Sequence, residues 1–123
     1  MAKAVGVGGV FLKFREPKTL SAWYAQHLGI EIGGGGTLMF QGPESFGMCV
    51  FGCFPENSSY FGGGEQEFMV NFRVDVLDTL LENLRAAGVR IDPLPEDQSY
   101  GKFAWIWDPE GNRIELWQPS ADE

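Results

Sequence analysis

The chain reads as one run of elements written twice, and this repetition limits its fold more than any other feature. Residues 5–14 (VGVGGVFLKF) alternate as a strand. Glu16 and Pro17 open a helix, proline being suited to a first helical position. Leu20, Trp23, Tyr24 and Leu28 recur at helical spacing on one face, and Gly29 ends the helix. Glycines 33–36 form a loop, followed by strands at 37–41 and 46–54 joined by a turn at Gly42, Pro43 and Glu44. The second half repeats the series. Residues 67–74 (EFMVNFRV) form a strand, Asp75 is placed to cap a helix bearing Leu77, Leu80, Leu81 and Leu84, and Gly88 closes it. A short strand begins at 89–92. Strands at 102–107 and 112–118 then flank a turn at Asp108, Pro109, Glu110 and Gly111.

The halves align through Phe14 with Val74, Gly29 with Gly88, and Pro43 with Pro109. A single α+β domain spanning 1–123 is predicted, built of tandem βαβββ modules whose mixed sheet encloses a cleft. Module one runs over about 5–54, a linker over 55–66 and module two over about 67–119. The plainer alternative is an ordinary α+β domain with two helices by coincidence. Hydrophobic residues at 44% of the chain and aromatics at 14% argue for a packed interior rather than disorder.

A formal net charge of −8 argues against nucleic acid and anionic membrane surfaces as partners, since both would repel the chain on average. No segment approaches the roughly 20 apolar residues that span a bilayer. The N-terminus (MAKAVGVGG) lacks the apolar region of a signal peptide, so the cytoplasm is the expected compartment. Cys49 and Cys53 fall on one strand four residues apart, roughly 13 Å, beyond the reach of a disulfide. Free thiols are expected.

Three segments carry a family resemblance: EPKTLSAWYAQHLGIE at 16–31, VNFRVDVLDTLLENLRAAGV at 70–89 and YGKFAWIWDPEGNRIELWQP at 100–119. In this order they resemble the vicinal-oxygen-chelate superfamily of glyoxalases, bleomycin-resistance proteins and dioxygenases. The resemblance covers nearly the whole chain. It implies two βαβββ modules around a shared cleft and a homodimer. In metal-using members it also implies one ligand from the first and one from the last strand of each module. Those positions fall here on Gly9, Met69, Glu115 and, by the offset of the two prolines, Cys49. Glycine and a thioether do not replace two imidazoles, and only Glu115 is a usual ligand for the family's chemistry. The single histidine, His27, sits late in the first helix, where a surface position is expected. No metal and no cofactor are therefore expected, and the family's metal-dependent activities do not carry over with the fold.

Strand alternation then assigns a cleft face. Phe11 and Lys13 follow Gly9, while Asn71 and Arg73 follow Met69. Phe51 follows Cys49, and Phe103 and Trp105 share a face, with Met39 the repeat mate of Trp105. Val10, Leu12, Phe14, Val70, Phe72, Ile114 and Leu116 face the helices. The result is an aromatic pocket with few polar groups, as small-molecule sites generally are. Lys13 and Arg73 fit equally well as strand-end cations reaching water. Phe103 and Trp105 fit equally well as core. Tyr60 and Phe61 in the linker fit either a lid or an anchor.

Three functions remain. The first is metal-independent binding of a small polar or anionic aromatic ligand, for sequestration or sensing. The second is a glyoxalase-like lyase or isomerase with Glu115 as general base and Lys13 or Arg73 stabilising an oxyanion. The third is an interaction module whose cleft is filled by its own side chains.

Overall fold

The computed structural model describes residues 2–33, 37–40, 49–62 and 65–120. The chain forms two compact units, one of residues 8–69 and one of the N-terminal residues with those from 70 onward.

In the first unit, β1 (Ala4–Phe14), from residue 8 on, leads into α1 (Pro17–Leu28), then β2 (Glu31–Ile32), β3 (Leu38–Phe40) and β4 (Cys49–Pro55). The strands lie in the order β2-β3-β4-β1, with β1 and β4 parallel and the other neighbours antiparallel. Pro17 occupies the start of α1, and Gly29 ends it in the left-handed conformation (φ 69°), its N–H donating to Ala25 O. Tyr24 packs its ring against Phe14 and Phe51, with centroids 6.4 and 4.9 Å away, which seats α1 on β1 and β4. Trp23 and His27, one turn apart, pack at 5.0 Å on the outer side of the helix. His27 is exposed, as expected. The predicted turn at Gly42, Pro43 and Glu44 lies outside the described residues, as do glycines 34–36.

The second unit contains β5 (Phe68–Val74) from residue 70 on, α2 (Leu77–Ala86), β6 (Arg90–Ile91), β7 (Glu96–Gln98), β8 (Gly101–Trp107) and β9 (Arg113–Pro119). Its order is β5-β9-β8-β6, with β7 also paired to β8. β5 and β9 are parallel, and β8 and β9 form an antiparallel hairpin. Asp108 organises the hairpin turn, its carboxylate accepting from the N–H groups of Glu110 and Asn112 and from the Asn112 amide. Val74, Leu77, Leu81, Ala104 and Leu116 form the buried core, flanked by Phe72, Leu80, Leu84, Ile91, Ile106 and Ile114. Of the residues of this unit that alternation turns toward the helix, Phe72, Ile114 and Leu116 belong to this cluster and Val70 does not. The β2 and β7 strands are absent from the sequence reading, because two or three residues are too few to show a period.

Helix α2 starts differently from the prediction. Val76, in extended conformation, is the N-cap and supplies no side-chain bond. Asp75 instead accepts from the N–H groups of Val76 and Lys3, and its own N–H donates to Lys3 O, so it ties the N-terminal strand to the helix entrance. The Leu77 N–H that such a cap leaves open donates to Gln118 Oε1 at 2.8 Å, forty-one residues away. At the other end, Gly88 N–H donates to Arg85 O and Val89 N–H to Leu84 O, a Schellman closure that Gly88 permits with φ 83°. No helix among the described residues is long and apolar enough to cross a membrane.

Candidate functional site

With Phe72, Val74, Ile106, Ile114 and Leu116 turned to α2, the alternate residues of β5, β9 and β8 share the opposite face of the second unit. They lie in rungs set by the ladder register. Asn71 pairs with Glu115 and Glu115 with Trp105, while Arg73 pairs with Trp117 and Trp117 with Phe103. On the first rung, Asn71 Nδ2 donates to Glu115 Oε2 at 2.9 Å, with Asn71 3% and Glu115 1% exposed. The bond gives the buried carboxylate a donor and so offsets its desolvation. On the second rung, Phe103 and Trp117 stack in parallel, 4° apart with centroids at 6.0 Å. Trp117 Nε1 also donates to Tyr100 O.

Arg113 joins this face from the start of β9. Its guanidinium lies 5.4 Å from the Trp105 ring centre and 5.1 Å from that of Trp107, and Nη1 reaches Asp92 Oδ2 at 3.0 Å. The Leu94 N–H holds the Asp92 carboxyl below the usual carboxylate range, and Arg113 adds to the effect against a partly opposing desolvation. Sequence reasoning misses Asp92 in this setting. It stands twenty-one residues from Arg113, and no local pattern marks the pair.

In the first unit, Phe11, Lys13 and Met39 share one face. The registers pair Phe11 with Gly52, Lys13 with Phe54, and Met39 with Val50. This face is covered by the chain's own linker. Phe54 stacks on Tyr60 (5.3 Å, 8°), Phe11 lies 5.5 Å from Phe54, and Phe61, only 2% exposed, packs edge-on against Phe54. Lys13 Nζ sits 5.2 Å over the Phe61 ring. Tyr60 and Phe61 thus anchor the linker. Beyond them an open cavity of about 850 Å³ is lined by Lys13, Phe14, Arg15, Glu56, Glu65 and Glu67.

Cys49 and Phe51 are not on that face. Phe51 pairs with Val10 and Leu38 and packs against Tyr24 of α1, and Cys49 shares its parity. Strand register is the reason. By the proline offset Phe40 is the mate of Ile106, yet Phe40 pairs with Cys49 across eight intervening residues and Ile106 with Ile114 across seven. The proline offset overlooks this one residue, and an odd shift turns a strand over. By ladder register, the partner of Phe11 is Gly52, so Gly52 rather than Cys49 is the repeat mate of Glu115. The same parallel register makes Phe54 the mate of Trp117 and brings it onto the face in place of Phe51. Both cysteines are free thiols, as expected.

The corrected positions do not fit a four-ligand metal centre. A Cβ at Gly9 would stand 2.8 Å from the Val50 carbonyl oxygen, and one at Gly52 would stand 2.8 Å from both the Phe11 and Phe54 rings. These two positions lack a donor and the room for one. Met69 is fully buried and offers a thioether, while Glu115 is bonded to Asn71. No group of three His, Cys, Asp or Glu side chains among the described residues could hold a metal ion.

Comparison with known proteins places this geometry. Methylmalonyl-CoA epimerase from Mycobacterium tuberculosis superposes with a TM-score of 0.70 at 20% identity, over 97% of this chain and 91% of that one. A variant of Streptomyces coelicolor methylmalonyl-CoA epimerase, in complex with 2-nitronate-propionyl-CoA, gives 0.73 at 14% identity, over 97% and 100%. The Mn(II)-bound glyoxalase from Novosphingobium aromaticivorans gives 0.65 at 17% identity, over 96% of this chain and 40% of that one. At such identities the likeness is one of fold. No curated protein matches the sequence significantly. The family model of the Glyoxalase/Bleomycin resistance protein/Dioxygenase superfamily matches residues 15–116, and the chain belongs to that superfamily.

Proposed function

We propose that this protein binds a small polar aromatic molecule without a metal, on the second-unit face that carries Asn71, Glu115, Trp105, Phe103 and Arg73. The binding would serve sequestration or sensing, in the cytoplasm and as a homodimer. The observation that carries the reading is the Asn71–Glu115 hydrogen bond. A carboxylate and an amide, both almost wholly covered, occupy one rung beside an indole. Polar groups buried on a strand interior reduce stability unless they are paired or used, and an aromatic wall with a few fixed polar groups is the general form of a ligand site. Phe11, Lys13, Met39 and Met69 belong to the first unit and stay candidates for ligand contact there. Cys49 and Phe51 leave the set because they lie on the α1 side.

The test is calorimetric titration of the purified protein with small aromatic compounds, in chelator and after divalent-metal addition. Saturable binding in chelator, weakened about tenfold or more by Glu115→Ala, is the expected result. Binding that appears only with one divalent ion per chain would overturn it.

A second reading has one supporting observation, the 1% exposure of the Glu115 carboxylate. A covered carboxylate on this fold suits proton abstraction next to a carbonyl, a reaction type consistent with the epimerases of similar fold. Turnover of an acyl thioester that disappears in Glu115→Ala, with the melting transition retained, would put this reading first.

A further inference from the structure

Resting on the binding reading above, the geometry points to a hydrogen-bond donor on the ligand: we infer that the Asn71 rung selects a neutral aromatic ring bearing a hydroxyl or N–H, and disfavours an anion. Asn71 Nδ2 donates to Glu115 Oε2 at 2.9 Å. Oε2 is the acceptor of this bond, so turning the amide over would set its oxygen against another acceptor. The nitrogen end is therefore held toward Glu115 and the oxygen end away from it.

Asn71 Oδ1 has no hydrogen-bond partner among the described residues, although the residue is only 3% exposed. Buried carbonyls of this kind normally find a donor, and one that does not lowers stability. Its surroundings suggest what could supply one. Trp105 occupies the same rung, one strand beyond Glu115, and the parallel Phe103–Trp117 pair occupies the next. A flat ring set against these indoles can direct a hydroxyl or N–H at Oδ1. A carboxylate or phenolate in the same place would meet a carbonyl oxygen and the Glu115 carboxylate, both acceptors. The chemistry thus narrows the polar or anionic aromatic class expected from sequence to a neutral donor-bearing ring, of which phenol is the simplest.

The test uses the full chain in chelator at pH 7, titrated calorimetrically with phenol and with anisole, two rings that differ in the donor hydrogen. Wild-type protein is expected to bind phenol about five- to tenfold more tightly than anisole, the ratio of one satisfied to one unsatisfied hydrogen bond. Asn71→Leu is expected to lose that preference. Equal wild-type affinities would overturn the inference and leave the binding reading standing, as a buried water already serving Oδ1 would produce. No saturable binding of either ring would overturn the inference together with the binding reading. The wild-type ratio does not depend on the variant folding.

Discussion

Replacing Asn71 by aspartate tests the electrostatics of the rung most directly. The substitution keeps the side chain's shape, exchanges the donor that serves Glu115 for an acceptor, and places two carboxyl groups at the present 2.9 Å contact. At an effective dielectric of about 20, two full charges at that distance repel by roughly 6 kcal/mol. The pair will not carry both charges; it will hold one proton, and the introduced O–H will replace the lost N–H. The shared proton is bound more tightly in the folded than in the unfolded state. The replacement bond is therefore present at low pH and lost as pH rises through the raised folded pKa. Relative to wild type at the same pH, Asn71→Asp should cost about 3–5 kcal/mol at pH 8, the usual penalty for breaking a buried charged contact. At pH 5 it should cost under about 1.5 kcal/mol, the scale of one exchanged hydrogen bond. Urea unfolding at the two pH values reads this as a midpoint lowered by roughly 2 M at pH 8 and by much less at pH 5. A penalty below about 1 kcal/mol at pH 8, or one equal at both, would refute the buried carboxylate–amide contact.

Gly52→Ala should destabilise by about 1–3 kcal/mol in thermal or urea unfolding, because its Cβ would meet two phenylalanine rings at 2.8 Å; unchanged stability would mean that the Phe11 and Phe54 rings can move apart. Asp92 has a lowered pKa from the Leu94 N–H and Arg113, and Asp108 from the Asn112 amide and the turn N–H groups. Their stabilisation is complete above the ordinary carboxylate range near about pH 4 and is lost as pH falls through the lowered values. Asp92→Asn should therefore flatten the acid side of the melting-temperature profile, and an unchanged profile between roughly pH 5 and 2 would count against the Asp92–Arg113 pair.

Wherever the physics is local, the sequence suffices. Gly29 and Gly88 end their helices because a left-handed residue is needed there and glycine adopts it without a Cβ clash. The core face of the second unit follows from alternation, since Phe72, Ile114 and Leu116 must be buried on one side. The family follows from three segments in order, and the family model agrees over 15–116.

What needs the tertiary structure is each relation that joins separate stretches of chain. Asp75 reads as a cap from its neighbours, yet its carboxylate serves Lys3, and the helix entrance is completed by Gln118. Sequence alone puts the first unit's last strand on the wrong face, because its side-chain direction depends on how many residues separate it from the strand it pairs with, and equivalent pairs of the two units differ by one. The Asn71–Glu115 bond spans forty-four residues and exists only through the parallel register of β5 and β9. Composition and periodicity dictate which residues are buried on a strand; pairing, which no single strand contains, dictates what each buried residue meets.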